Sequence, residues 1–297
     1  MPATSPVWRR SHGLVALLLA PEHRRELSGL AGPIFGKHDC GMTCSRLRNK
    51  TALITGATSN IGRAIAIEFA AEGAHVVASG RSPQRGAELI EEIKANGGRA
   101  EFVPMDLDGS VQACSALAAE ATRLLGGGIG ILVNNAGIYP RTHTATTDEA
   151  TFDQVYAVNV KTPYYLTAAV APAMIEAGGG VIINLGSWIA RLGIPSALYS
   201  STKGAMETLT RAWAAEFGPR GVRVNAISPG VVHERLPREA GPHPGDAMMT
   251  GTPAGSPGTP DAIAHAAVYL ASDEAAFVHG TVIDVDGGRT GVAVIAA

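Results

Sequence analysis

The chain has 297 residues, 46% hydrophobic and 17% charged, with 36 glycines: enough for one large or two modest cores, and the wrong composition for disorder or collagen. Its 24 basic and 26 acidic residues leave a net charge of −2, which gives no global electrostatic attraction to nucleic acid or an anionic membrane. Three cysteines, Cys40, Cys44 and Cys114, are too few for a disulfide framework and fit a reducing, cytoplasmic setting, and no apolar run approaches the ~20 residues of a membrane span.

Residues 1–48 carry seven basic and three acidic residues, net +4, whereas residues 49–297 carry seventeen and twenty-three, net −6. The composition breaks near Asn49, so the segment before it reads as a disordered extension to a domain at 49–297. Arg9 and Arg10 ahead of the seven-residue apolar run 14–20 imitate a signal peptide, but Pro21-Glu22-His23-Arg24-Arg25 stands where small cleavage-site residues belong. Met42 would also begin a complete domain, so an over-early start accounts for the extension equally well. His38, Cys40 and Cys44 invite a metal reading; a structural zinc site needs four ligands and no second Cys/His pair is near, so no metal is expected.

Residues 51–55 are a short apolar run ending at Gly56, and apolar residues then recur at helical spacing through Ile61, Ala64, Ile65 and Phe69 to residue 71. The alternation of strand and helix repeats: strand 75–79 then helix 83–95, strand 100–104 then helix 110–125, strand 129–133 then helices up to Ala177. Residues 181–185, 222–227 and 281–285 complete seven candidate strands. Each is nearly continuously apolar, as suits strands covered on both faces of a parallel sheet. The pattern predicts a doubly wound α/β fold with helices on both faces. A ligand crevice is expected at the carboxyl ends of the strands, where the strand order reverses.

Every motif falls at such an end. Thr55-Gly56-Ala57-Thr58-Ser59-Asn60-Ile61-Gly62 joins the first strand to the first helix. Gly56 permits a sharp turn, Gly62 lets the helix pack close, and free backbone N–H groups at the helix start can receive a pyrophosphate. A glycine-rich turn alone serves a ligand or a plain chain reversal equally well. Its companions are Asn134-Asn135-Ala136-Gly137, Tyr199-Ser200-Ser201-Thr202-Lys203 and Pro229-Gly230, in that order. Together these motifs resemble the short-chain dehydrogenase/reductase family, whose turn reads Thr-Gly-x-x-x-Gly-x-Gly, over about residues 47–291. The resemblance implies one Rossmann-like domain with a seven-stranded parallel sheet. Asn60 replaces the middle glycine; asparagine tolerates left-handed backbone better than other non-glycine residues, so the turn is expected to survive.

The second strand ends Ala78-Ser79-Gly80-Arg81, where NAD-preferring relatives would place an acidic residue on the adenosine ribose. None is present. Gly80 leaves room for a 2′-phosphate and Arg81 offers a guanidinium to pair with it, so NADP(H) is favoured over NAD(H). By resemblance, Asp106 accepts from the adenine amino group and Leu107 adds a backbone contact. Asp108 and Ser110 are better placed to cap the next helix, which leaves Asp106 for the ligand. The stretch from Asn134 through Asn135, Ala136 and Gly137 is implied to lie along the adenosine ribose and brace the sheet. Pro229, Gly230 and the Val232 backbone are implied to flank the nicotinamide, with Glu234 standing where relatives commonly carry Thr. Residues 233–256 are irregular, with Pro237, Pro242, Pro244, Gly245 and Pro253, and read as a substrate lid.

Tyr199 and Lys203 lie one turn apart on one helix face. A phenol of pKa ~10 is a poor base at neutral pH, and a neighbouring ammonium is expected to lower that value. By resemblance, Ser187 hydrogen-bonds the substrate oxygen; it lies twelve residues before Tyr199, one fewer than in many relatives. Asn159 is implied to hold a water linking Lys203 to solvent, and Lys203 to bond the nicotinamide ribose. The implied reaction is hydride transfer between NADPH and a carbonyl/alcohol pair, a 3-oxoacyl thioester or another ketone, with Tyr199 as proton donor. Tyr139 and Trp188 are candidate pocket residues, and Trp188 would serve the core as well. Two other classes are a dinucleotide sensor without catalysis and a lyase or epimerase on the same scaffold. The presence of Asn159, Ser187, Tyr199 and Lys203 speaks against the first, and turnover separates the second. The implied partners are a small-molecule substrate and copies of the chain in a homotetramer or homodimer built on the long helices.

Overall fold

Alternation along each strand is what builds this molecule. In the computed structural model, which describes residues 45–233 and 245–293, Leu53 of strand β1 (Thr51–Thr55) is buried on one face of the sheet and its neighbour Ile54 on the other. The same division holds for Val76 and Val77 of β2 (His75–Gly80) and for Ile182 and Ile183 of β5 (Gly180–Leu185). Because both faces are covered, both alternating sets are apolar, and the strands read as unbroken hydrophobic runs.

The remaining strands are β3 (Arg99–Pro104), β4 (Ile131–Asn134), β6 (Val222–Pro229) and β7 (Val282–Val285). All seven pair in parallel in the order β3-β2-β1-β4-β5-β6-β7, so the order reverses between β1 and β4. One face is covered by α1 (Asn60–Ala71), α2 (Pro83–Ala95) and α7 (Pro260–Ala271), through Ile65, Phe69, Leu89, Ile93, Ile263 and Val268. The other is covered by α3 (Val111–Leu125), α5 (Thr162–Glu176) and α6 (Ala197–Phe217), through Leu117, Leu166, Met174, Met206 and Trp213. This is the doubly wound fold that the apolar runs predict, with strand ends displaced by one or two residues.

Helix starts follow ordinary capping chemistry. The hydroxyls of Ser82 and Ser110 accept from the N–H groups of Arg85 and Ala113, and the Asp148 carboxylate accepts from Thr151 at the start of α4 (Glu149–Tyr156). The helical stretch up to Ala177 is not continuous. A π-helical turn at Ala157–Lys161 separates α4 from α5 and carries the buried Asn159.

The packed chain begins before the compositional break at Asn49, so the boundary drawn there is moved upstream. Leu47 is fully buried in the core, its N–H donates to the Glu72 carbonyl at 2.9 Å, and the Arg46 side chain pairs with the Glu72 carboxylate. Net charge is blind to one apolar side chain inside a basic segment. His38, Cys40 and Cys44 lie outside the described residues. A chain starting at Met42 retains Arg46 and Leu47, and we expect it to keep the melting temperature and assembly size of the full chain in calorimetry and light scattering. A lower value of either would make residues 1–41 part of the folded unit.

Candidate active site

A cleft of about 970 Å³ opens at the carboxyl ends of the strands, where the order reverses. The turn from β1 into α1 forms its floor, with Gly56, Thr58, Ser59, Asn60, Ile61 and Gly62 all facing it. Gly56 has φ +64°, and a Cβ on Gly62 would stand 2.3 Å from the Gly56 carbonyl oxygen, so the second glycine is what lets the helix start this close to the turn. Asn60 has φ +47°: it takes the left-handed conformation in place of the usual glycine. Ser59 makes no side-chain capping bond and the first turn of α1 holds no acidic residue. The helix start therefore presents backbone N–H groups and a positive dipole end to the cleft, the donor set a pyrophosphate needs.

Arg81 from the end of β2, Asp106 and Leu107 after β3, and Asn135, Ala136 and Gly137 after β4 reach the same cleft. Asp108 and Ser110 are occupied with the start of α3, the Asp108 carboxylate accepting from the Ser110 N–H at 2.9 Å, which leaves Asp106 facing the cleft. Gly80 lines the cleft, and a Cβ there would lie 2.7 Å from Cγ2 of Thr58, so a side chain at 80 would have to displace the threonine. The basic residues also extend one helical turn beyond the strand end: Arg85, four residues after Arg81, lines the cleft beside it. Lys161 and Tyr156, from the helical region around the π turn, are further lining residues without a motif to mark them.

The segment after β4 is tied down by polar side chains. Thr55 Oγ1 accepts from the N–H groups of Asn135 and Ala136 at 3.1 and 3.0 Å, while Asn135 Nδ2 donates to the carbonyls of Thr55 and Gly56 at 2.9 and 3.1 Å. Beneath it, Asn134 Nδ2 donates to Asn184 Oδ1 at 2.9 Å, and Asn184 Nδ2 to Thr210 Oγ1 at 2.9 Å, a buried polar chain from β4 through β5 to α6. Asn184 and Thr210 belong to no motif that would mark them in the sequence.

Tyr199 faces the cleft, while Ser187, Asn159 and Lys203 are buried near it. Tyr199 lies close to the Ser187 hydroxyl, and its ring packs 4.4 Å from that of Tyr139. Lys203, buried one turn along α6, donates from Nζ to the Leu185 carbonyl at 2.8 Å and sits 5.6 Å from the centre of the Tyr199 ring. Asn159 Oδ1 accepts from the Ile138 N–H at 2.8 Å, and its Nδ2 donates to the Ile138 carbonyl and to Thr202 Oγ1. A Cβ on Gly137 would be 3.4 Å from Asn159 Oδ1 and 3.8 Å from Lys203 Nζ, so the backbone at 137 lies directly against both groups.

The electrostatics of the pair differ from the expectation that lysine lowers the phenol. Burial, with a smaller push from Tyr139, drives the Tyr199 pKa up to about 12, against a downward pull from the neighbouring Ser187 hydroxyl. Burial alone brings Lys203 down to about 8. At neutral pH Tyr199 holds its proton and Lys203 remains an ammonium. Another tie has no signature in the sequence: Arg191, four residues after Ser187, reaches Glu207 Oε1 on α6 at 3.3 Å and Asp284 Oδ2 on β7 at 2.5 Å. These ion pairs tether the Ser187 turn to the helix that carries Tyr199 and Lys203.

A family model described as enoyl-(acyl carrier protein) reductase matches residues 56–290. Galactitol 2-dehydrogenase (L-tagatose-forming) of Cereibacter sphaeroides is 39% identical over 254 residues, 84% of this chain and 98% of that one. The chain belongs to the short-chain dehydrogenase/reductase family. Among solved structures, a 7α-hydroxysteroid dehydrogenase complexed with NADH and 7-oxo glycochenodeoxycholic acid is 37% identical with a TM-score of 0.75, over 82% of this chain and 96% of that one. A gluconate 5-dehydrogenase from Burkholderia cenocepacia J2315, in complex with NADP and tartrate, is 33% identical with a TM-score of 0.77, over 84% and 98%.

Within this short-chain dehydrogenase/reductase, the stretch after β6 is held by a short parallel bridge between Val232 and Gly258. Its hydrogen bonds run from the Gly258 N–H to the Val231 carbonyl and from the His233 N–H to the Gly258 carbonyl. The backbone groups of Val232 itself take no part in them and point away from the bridge. Pro229 ends β6, and a Cβ on Gly230 would stand 2.5 Å from Asp286 Cα, so that glycine answers to packing. Pro229, Gly230, Val232, Ser187, Asn159 and Lys203 do not line the nucleotide cleft. Glu234 and residues 235–244 of the expected lid lie outside the described residues. The described remainder is anchored: Met249 and Thr252 are buried, and the Ala254 N–H donates to the Gly287 carbonyl. Trp188 belongs to the core, 5% exposed, under the guanidinium of Arg289.

Proposed function

We propose that the chain is an NADP(H)-dependent oxidoreductase that interconverts a carbonyl and an alcohol, with a 3-oxoacyl thioester or another ketone as substrate. The observation that carries this reading is Tyr199 lining a cleft at the carboxyl ends of the strands, with Lys203 Nζ 5.6 Å from its ring centre and the Ser187 hydroxyl beside it. A bound nicotinamide cofactor supplies or accepts the hydride. Ser187 and Tyr199 are the paired hydroxyls for the substrate oxygen, and Tyr199, protonated at neutral pH, gives that oxygen its proton during reduction. Lys203 restores the proton and binds the nicotinamide ribose, and Asn159 orders the water leading to solvent. The Val232 backbone, free of its bridge, is available to the carboxamide.

Incubating the protein with NADPH or NADH and a panel of ketones, aldehydes and 3-oxoacyl thioesters, while following the reduced-nicotinamide absorbance, tests the reading. No oxidation of either cofactor across the panel sinks it. We place the enzyme in the cytoplasm as a homotetramer or homodimer. The apolar groove that Tyr164, Tyr165 and Leu209 line between α5 and α6 supports self-association, which sedimentation would measure.

The preference for NADP(H) rests on Arg81, with Arg85 beside it and no carboxylate at the end of β2. Arg81→Ala should weaken NADPH about 10- to 100-fold in a fluorescence titration, the range of a lost charge-assisted hydrogen bond, and NADH much less. Equal losses for both would remove the 2′-phosphate assignment, and tighter native binding of NADH would reverse it.

A further inference from the structure

Among the described residues, Arg289 is a cation held without an ion-pair partner beside the Ser187 turn. Arg289 lies in the turn after β7, where the buried Asp286 carboxylate accepts from the N–H groups of Gly288, Arg289 and Thr290 at 2.9, 3.2 and 2.8 Å and from Thr290 Oγ1 at 2.6 Å. Asp286 is thereby spent on fixing the turn. The Arg289 guanidinium carbon stands 5.4 Å from the centre of the Trp188 ring, the residue that follows Ser187. Its Nε is buried without a hydrogen-bond partner, and among the described residues no carboxylate lies within ion-pair distance of it.

The turn also meets the other segments that flank the site. A Cβ on Gly230, next to the Pro229 end of β6, would touch Asp286 Cα, and Cβ atoms on Gly287 and Gly288 would lie 2.7 Å from Ala254 Cβ and Pro253 Cγ. Arg289 thus sits where the Ser187 turn, the end of β6 and the anchored half of the 233–256 segment come together. Half-buried cations are ordinarily paired, and this one is held in place, stacked on a ring and left unneutralised. A planar guanidinium in that state suits a carboxylate, which it can bind through two parallel N–H donors.

We propose that Arg289 binds a carboxylate carried by the substrate, which makes the substrate class oxo acids and the corresponding hydroxy acids. The proposal rests on the reading of Ser187 and Tyr199 as the carbonyl-binding pair. The probes are 2-oxopentanoate, 4-oxopentanoate and 5-oxohexanoate, each beside its neutral methyl ester, with the NADP(H)-loaded full chain. Turnover is followed by absorbance and binding by calorimetry, in wild type, Arg289→Ala and Arg289→Gln, with melting temperatures to identify folded variants.

For at least one pair, the wild type should prefer acid to ester, and both variants should lose that preference by about 10- to 100-fold in kcat/KM, mostly through KM. Arg289→Lys should restore part of it. If no ketone turns over while acid binding still depends on Arg289, the redox reading fails and the anion site stands. If acids and esters are bound and reduced alike, if the variants lose both in proportion, or if no acid binds, Arg289 is no anion site, and the redox reading is judged on the esters alone.

Discussion

Tyr199→Phe is expected to lower turnover by on the order of 10²- to 10⁴-fold while leaving cofactor affinity nearly unchanged, because it removes one proton-carrying oxygen and almost no volume. The ring stays available to stack 4.4 Å from Tyr139, and only the hydroxyl beside Ser187 is lost. The measurement is kcat at saturating cofactor for any identified substrate, with the NADPH Kd determined separately. A variant that kept near-normal rates would show that the proton comes from elsewhere. A variant that lost cofactor affinity as well would mean that the phenol organises the cleft rather than the chemistry.

Lys203→Met is expected to act on three quantities at once. Rate and cofactor affinity should both fall, since the substitution removes the charge behind Tyr199 and the proposed ribose contact. Stability should move the other way. With its pKa drawn from 10.5 down to about 8 by burial, Lys203 costs the folded state on the order of 3 kcal/mol wherever it is charged in both states. That cost is fully present below pH 8 and is relieved as the pH rises from 8 to 10.5. Set against it is the hydrogen bond to the Leu185 carbonyl, worth about 1 kcal/mol, which methionine cannot make. The variant should therefore unfold at higher denaturant than the wild type at pH 7, with the gap closing between pH 8 and 10.5. A constant gap across that range would place the lysine charge in solvent.

Much of this architecture is open to reading from the residues. The strands are legible because parallel strands buried on both faces have no polar alternation to blur them, and the motifs are legible because each ends a strand. Asn60 can be assigned a left-handed backbone from side-chain chemistry alone. What cannot be read depends on approach between residues distant in the chain. Nothing local tells that Asn184 and Thr210 continue the polar chain from Asn134, or that Arg191 reaches Glu207 and Asp284. The Tyr199 shift runs opposite to the sign that its spacing from Lys203 suggests, for a related reason: spacing along a helix measures charge proximity, whereas desolvation is a property of everything packed around the ring.

The approach of position 80 to Thr58 bears on how cofactor choice could change over generations. An aspartate at 80, the conventional route to NAD, would bring its Cβ within 2.7 Å of the Thr58 methyl, so the threonine side chain would have to turn aside to admit it. The two positions, on different strand ends and 22 residues apart, are therefore coupled: what either can hold depends on the side chain at the other.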